Sequence, residues 1–380
     1  MRKLERAIQA KPADVALHRD LARALDAAIQ GDDAERTLTA ITRELPFAFT
    51  TLLLLGRLIE LRRDSHAAVL AYTRAIKTAQ RAGFWLDEAS TPQWLRVPVL
   101  HAIEFAARGR VDVFRAHLER WVARYGDDEM ERVAKCLGMY LGTTPLERAD
   151  PRQQPSFLYF PDLPVHPVFP REALPFADWY DAETDAIRKE ALRVVGETRP
   201  FHYDVPEADR GKLQRGDWDA FFFYADGERE DANHTACPHT SSVLARLPLD
   251  HVRDHGPEVC FSVMRPGAHI LPHRGVTNTR AVLHLGLVIP AGCALSLVGV
   301  QQVTWTRGRC FAFDDTFEHE AWNRSDATRI VLLGDIWNPY LRPAERDALA
   351  DLVVQIGDFN RATAVATQGG VQARPVSQSM

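Results

Sequence analysis

No run of about 20 uninterrupted apolar residues occurs in the sequence, so no stretch reads as a membrane-spanning helix. The most apolar segment, 285–300, is broken by Pro290 and Gly292 and reads as two strands. The opening residues, MRKLERAIQAKPADVALHRD, lack the apolar segment of a secretory signal. Cysteine is scarce: Cys136, Cys237, Cys260, Cys293 and Cys310 are widely spaced and form no CxxC pair. That excludes a disulfide framework and points to free thiols in a reducing, cytoplasmic setting. Basic excess is missing too, since 46 Lys and Arg against 51 Asp and Glu leave a net charge of -5. Neither nucleic acid nor a membrane surface is therefore the expected partner. No HExxH motif is present, and although His269 and His273 are four apart, Pro272 between them argues against the helix a zinc protease needs.

What remains is an ordinary globular composition, 46% hydrophobic and 26% charged, over 380 residues, enough for two domains. From Ala13 to about Gln80 the pattern is helical and repeats: Leu21, Ala34, Leu38 and Ile41 superimpose on Leu55, Ala68, Tyr72 and Ala75 at an offset of 34 residues. That is the period of a tetratricopeptide helix pair, in which alanines allow close packing. Gly31-Asp32-Asp33 breaks the first pair, and Arg63-Asp64-Ser65 offers a turn and N-cap in the second. Further amphipathic helices are expected over 99–107, 111–125 and 130–141, which makes 1–150 an all-α helical repeat domain.

Prolines 145, 151, 155, 161, 164, 167, 170 and 175 then forbid a helix and predict an extended linker, with the domain boundary near residue 150. Beyond it one helix, 182–195, is followed by short strands over 219–225, 259–264, 280–289, 294–298, 309–313 and 329–336. The fold class expected is α+β, with the helical domain followed by a compact barrel or jelly roll over 151–360 and a disordered tail over 361–380.

Within the barrel, polar residues stand where strands should carry core. Non-haem iron oxygenases take two imidazoles and a carboxylate, usually as His-x-Asp/Glu with a distant second His. His273-Arg274-Gly275 followed by His319 has that spacing but puts glycine in the place of the acid. Arg329 lies ten residues after His319 on an otherwise apolar strand, ATRIVLLGDI. Buried there it needs an anionic partner, and the distal carboxylate of 2-oxoglutarate is a suitable one, with Ser262 on a neighbouring strand. Arg280, Val282 and His284 share one face of a strand, and the spacing leaves open whether Arg280 and His284 serve cofactor or substrate. Asp314-Asp315 reads equally well as a turn, and Trp218 as core packing.

The motifs GDWDAF (216–221), SVMRPGAHILPHRGVTNTR (262–280), HLGLVIP (284–290) and FDDTFEHEAWN (313–323), in this order, make residues 155–343 resemble the aspartyl/asparaginyl β-hydroxylase family. The resemblance implies a double-stranded β-helix that hydroxylates aspartate or asparagine side chains using Fe(II), 2-oxoglutarate and O2. It implies His273 and His319 as the metal ligands, with Gly275 in the place of the carboxylate and Asp315 as an acidic residue beside the metal shell. By the same resemblance Ser262, His284 and Arg329 match 2-oxoglutarate contacts, Trp218 lines that pocket, and Arg280 matches an arginine associated with the substrate. The chain departs from the family at Val282, where members commonly carry a second arginine, and in having Cys237 alone where animal members carry a cysteine pair. The expected substrate is a peptide or protein, docked on the helical domain. The alternatives are a free or carrier-bound amino acid, a lipid acyl chain, or a non-catalytic scaffold carrying a relic barrel.

Overall fold

The computed structural model describes residues 2–10, 17, 20, 23–24, 34–45, 47–201, 214–215 and 217–365. The chain divides into two compact units, residues 1–119 with 355–375, and residues 120–354 with 376–380. Among the described residues no helix is long and apolar enough to cross a membrane.

The first unit is helical. Helices Ala34–Glu44, Phe49–Leu61 and Ser65–Arg81 follow one another. Arg63 takes a left-handed turn and the Asp64 carboxylate caps Ser65–Arg81 by accepting the Ala67 N–H at 3.0 Å, where the sequence places a turn and N-cap. Phe49, Leu52, Leu53, Ala68, Tyr72, Ala75, Val99 and Ala102 form its core. Ala68 and Ala75 are fully buried in this core, and Gly56 lies under the Tyr72 ring, which a side chain there would strike at 2.6 Å. The segments expected as two helices over 99–107 and 111–125 are one helix, Arg96–Tyr125. Gly109 does not break it; the bare backbone lets Val69 approach to 2.1 Å from where a Cβ would stand. Residues 31–33, expected to break the first repeat, lie outside the described residues.

The second unit carries the strands. In chain order they are β1 (Arg199–Pro200), β2 (Gln214–Arg215), β3 (Trp218–Ala225), β4 (Glu228–Arg229), β5 (Val259–Met264) and β6 (His269–His273). Then come β7 (Arg280–Val288), β8 (Cys293–Leu297), β9 (Gln301–Val303), β10 (Cys310–Phe313), β11 (His319–Asn323) and β12 (Arg329–Trp337). One sheet runs β1-β3-β5-β12-β7-β10, with β4 beside β3, and the other runs β2-β6-β11-β8-β9. From β5 to β8 successive strands alternate between the sheets, and β10, β11 and β12 alternate again, so the chain winds around a common interior as in a jelly roll.

Alternation along each strand explains why two sheets form. Phe221, Phe223, Phe261, Val263, Leu283, Leu285, Ile330 and Leu332 face outward from the larger sheet onto Tyr180, Ile187, Ala191 and Val243 of the covering helices. Those helices are Ala177–Ala182, Thr184–Val194, Asp231–Ala236 and Pro238–Leu244, so the helix expected over 182–195 starts at Thr184 behind a separate short one. The alternate residues, Phe222, Cys260, Met264, Val282, Phe313 and Val331, face inward onto Ile270, Leu295, Leu297 and Ala321 of the smaller sheet. Each such side chain stabilises the fold by about 1.5–3 kcal/mol.

The proline-rich segment is extended, as expected, but it is bound to the barrel as a strap and is no loose linker. Gln154 donates its backbone N–H to Thr316, Ser156 to Gly275, and Phe157 and Leu158 to Val276, at 2.9–3.2 Å. Asn278 locks its far end, accepting from Phe160 N–H at 2.7 Å and donating to Phe160 O at 2.8 Å. Of the expected tail, residues 361–362 complete the helix Pro343–Ala362, and 366–380 lie outside the described residues.

Candidate active site

The two histidines come from paired strands. His319 on β11 sits opposite His273 on β6, and their rings lie 4.1 Å apart between centroids at 53°. On a regular strand Ile270 and His273, three residues apart, point to opposite faces. A β-bulge between the His319 and Ala321 pairings adds a residue to β6, so Ile270 packs in the interior while His273 meets His319.

The hydrogen bonds settle the tautomers. His273 Nδ1 contacts Leu271 O at 2.8 Å and His319 Nδ1 contacts Phe317 O at 2.9 Å. A carbonyl only accepts, so Nδ1 carries the proton in each ring and the lone pair is on Nε2, the arrangement of metal-binding imidazoles. Burial holds His273 below its usual range and, with His273 beside it, pushes His319 down to about 3, so both rings are neutral at physiological pH. Among the described residues no cluster of three or more His, Cys, Asp and Glu is arranged to hold a metal, so His273 and His319 stand as a pair.

Gly275 explains where the acid went. A Cβ at that position would lie 2.0 Å from Cγ and Oδ2 of Asp315, so the Asp315 carboxylate fills the volume a side chain on residue 275 would need. The Gly275 N–H donates to Asp315 O at 2.6 Å, which holds the two loops together. Asp315 is buried, its Oδ1 accepts no hydrogen bond, and burial pushes its carboxyl up to about 7 against the opposing pull of Arg280. Asp314 is the turn residue of the pair: it accepts from Thr316 N–H at 2.9 Å and from Gln153 Nε2 at 2.5 Å.

On the larger sheet the inward positions of β5, β7 and β12 carry Ser262, His284 and Arg329. Arg329 is 2% exposed, and among the described residues no carboxylate figures in its surroundings. Its Nη1 reaches Ser262 O and Oγ only at 3.3 Å, its Nε has no partner, and Trp305 lies 5.0 Å from its guanidinium carbon. Burial pulls it down to about 10. Trp218 donates Nε1–H to Ser262 Oγ at 2.8 Å and stacks on Phe201 at 3.9 Å. Since Ser262 Oγ accepts from both Trp218 and Arg329, its own hydrogen is left to donate.

Trp305, which no sequence pattern singles out, orients His284. Its Nε1–H can only donate, and it does so to His284 Nδ1 at 3.0 Å. The His284 proton is therefore on Nε2, a buried donor with no acceptor. Burial, then the neighbouring Arg329 and His319, keep this ring well below its usual range and neutral. Phe313 bridges the two halves, its ring 5.5 Å from His284 and 5.2 Å from His319.

Arg280 stands at the other end of β7. It donates to Asp335 Oδ2 at 2.9 Å and lies 3.8 Å from Asp315 Oδ2. Burial opposes its charge, but Asp335, Asp315, Asp250 and Glu258 around it hold it above the usual arginine range. Asp335 escaped the sequence analysis because a lone Asp near the end of an apolar strand carries no pattern.

A cation, a hydroxyl and an imidazole N–H, all buried and converging beside two neutral histidines, fit a ligand with carboxylate oxygens held next to a metal. The family profile for aspartyl/asparaginyl β-hydroxylase matches residues 181–339, which include every one of these positions. The human aspartyl/asparaginyl β-hydroxylase is 35% identical over 164 residues, covering 43% of this chain and 21% of that protein. The rat aspartate β-hydroxylase domain-containing protein 2 is 32% identical over 243 residues, 61% of this chain and 68% of that protein. An ornithine lipid ester-linked acyl 2-hydroxylase from Rhizobium tropici is 32% identical over 182 residues, 47% of this chain and 63% of that protein. With the profile spanning the site and two thirds of the rat protein aligned, the chain belongs to the aspartyl/asparaginyl β-hydroxylase family.

Proposed function

We propose that the chain is an Fe(II)- and 2-oxoglutarate-dependent dioxygenase that hydroxylates the β-carbon of an aspartyl or asparaginyl residue in a peptide or protein. The observation that carries this reading is the buried, uncompensated Arg329 guanidinium beside the unsatisfied His284 Nε2–H, on the strands that face the His273–His319 pair. An isolated buried cation costs several kcal/mol, about the energy a bidentate carboxylate partner restores. In this reading His273 and His319 hold the iron through Nε2, and Arg329, Ser262 and His284 bind 2-oxoglutarate. Asp315 supplies a hydrogen-bond acceptor beside the histidines. When bound, iron and 2-oxoglutarate supply the O2-activating chemistry, and the protein's part is to orient the reacting C–H bond and exclude water. The repeated helices at 34–81 serve as a tetratricopeptide-like docking surface for the polypeptide.

The test is substrate-dependent succinate formation by the full chain with Fe(II), 2-oxoglutarate and O2, alongside His273→Ala and His319→Ala. Both variants are expected to lose metal binding and turnover; succinate that survives the loss of both histidines overturns the reading. A second reading, hydroxylation of a lipid acyl chain, is favoured by the likeness to the Rhizobium enzyme. It predicts that the added oxygen is found on lipid and not on peptide.

A further inference from the structure

His273 and His319 meet only because β6 and β11 pair in one register. Between the Ala321–Ile270 and His319–His273 pairings β11 advances by two residues and β6 by three, so the bulge falls beside the two histidines. Pro272, within the longer side of the bulge, has no N–H to give to a ladder bond. A slip of one residue displaces β6 by about 3.3 Å and turns its side chains to the other face, which would take His273 away from His319. Backbone pairing is therefore interrupted at the place where register decides whether the two imidazoles meet.

Two side-chain pairs bracket this interruption, and both cross from the β6 segment to the β11 segment. On one side Arg274 Nη1 donates to Glu318 Oε1 at 3.0 Å, each residue being the immediate chain neighbour of one histidine. On the other side His269 Nε2 lies 2.7 Å from Glu320 Oε2; an ionised carboxylate only accepts, so the imidazole donates. His269 also stands opposite Trp322 in the register, its ring edge-on to the indole at 6.2 Å and 87°. A shift of about 3.3 Å along the strand would break either pair. The four side chains are 23–35% exposed, so neither pair is expected to weigh much in global stability.

We infer that Arg274 with Glu318, and His269 with Glu320, are positioning residues: they clasp β6 to β11 across the bulge and so keep His273 and His319 together for a metal. The inference rests on the hydroxylase reading above, which supplies the metal. None of the four residues is assigned a contact with metal, cofactor or substrate. Their action is on the register of the two strands, through which it reaches the imidazoles.

The experiment is calorimetric Mn(II) binding to the full chain in a fixed excess of 2-oxoglutarate, with urea unfolding of each metal-free variant to show that it is folded. Arg274→Glu sets two carboxylates against each other and opens the first clasp. A field effect alone would tighten Mn(II) binding in this variant, because a negative charge replaces a positive one near the cation. A loosened register weakens it, and the expected loss is about tenfold or more, the scale found when groups that support metal ligands are removed. Adding Glu318→Arg restores the pair with its charges exchanged, and affinity is expected to return to within about threefold of wild type. Arg274→Gln applies the same contrast more mildly should the reversal fail to fold. His269→Phe keeps a ring opposite Trp322 and loses the bond to Glu320, and it too is expected to weaken Mn(II) binding. Unchanged or tighter binding in folded Arg274→Glu or Arg274→Gln protein overturns the inference, as does a loss that the exchanged pair does not recover. Unchanged binding in His269→Phe overturns the part given to the second pair. Failure of the wild-type protein to bind Mn(II) overturns the hydroxylase reading itself, and this inference with it.

Discussion

Arg329→Met separates a residue kept for stability from one kept for a ligand. In the free protein the guanidinium is 2% exposed, with hydrogen bonds only at 3.3 Å to Ser262 and no acid partner. Replacing a buried ion by an apolar side chain of similar volume is commonly neutral, or stabilising by about 1–4 kcal/mol. The variant alone is therefore expected to unfold at the same denaturant concentration as wild type or a higher one. Ligand binding shows the reverse. Truncating one member of a buried charge pair costs about 2–5 kcal/mol, which corresponds to a loss in 2-oxoglutarate affinity between about 30-fold and several thousand-fold. The assay is thermal unfolding with Mn(II), which suits the same imidazole donors, over a titration of 2-oxoglutarate. At a hundred times Kd the wild type gains about 2.7 kcal/mol, or about 5–10 °C at about 2–4 °C per kcal/mol. The variant should keep at most about a third of this, and almost none at the upper end of that range of affinity loss. Arg329→Lys, which keeps the charge and loses the fork, should fall between. An Arg329→Met protein that is destabilised by about 3 kcal/mol or more and still shifts fully with 2-oxoglutarate refutes the reasoning.

Other perturbations follow from the same contacts. Gly275→Asp forces the Asp315 carboxylate from its place, since the new Cβ would stand 2.0 Å from it; the expected loss is about 1–3 kcal/mol in urea unfolding. Adding Asp315→Gly to that variant should recover most of the loss. Trp305→Phe removes the donor that fixes the His284 tautomer, and a fall of about tenfold in 2-oxoglutarate affinity, worth about 1.4 kcal/mol, is expected by calorimetry. Glu258 is pushed up to about 8 by burial and by the Asp335 carboxylate, so the folded protein keeps a proton that the unfolded chain releases above its ordinary range. Its contribution is therefore present at low pH and lost as pH rises from about 4.5 to about 8, at no more than about 1.4 kcal/mol per pH unit. Glu258→Gln should flatten the pH dependence of unfolding over that window, and an unchanged slope would count against the assignment.

Strands buried on both faces were the most legible part of the sequence. Val259–Met264 runs over the residues that its apolar pattern predicts, and β7 and β12 differ from expectation by one residue at one end. The two strands that carry His273 and His319 were not foreseen as strands. β6 contains Pro272 and a bulge, and β11 reads HEAWN, with Glu320 and Trp322 facing away from the interior, so neither shows an apolar run. Their histidines were found by spacing and resemblance, while the geometry that makes them work depends on the Leu271 and Phe317 carbonyls, which any residue supplies. Asp315 stood out in the sequence, but its position against Gly275 depends on a contact between residues forty apart. The gap expected between 107 and 111 is closed within one helix, where the bare backbone of Gly109 admits the close approach of Val69.

The strap over 154–160 bears on what the smallest self-sufficient fragment of this protein is. Residues 181–339, where family likeness is recognised, do not include it. A fragment cut to those limits leaves the carbonyls of Gly275, Val276 and Thr316 without the donors that meet them here, and Asn278 without Phe160. The segment by which the family is recognised is thus shorter than the segment that holds its active-site loops in shape.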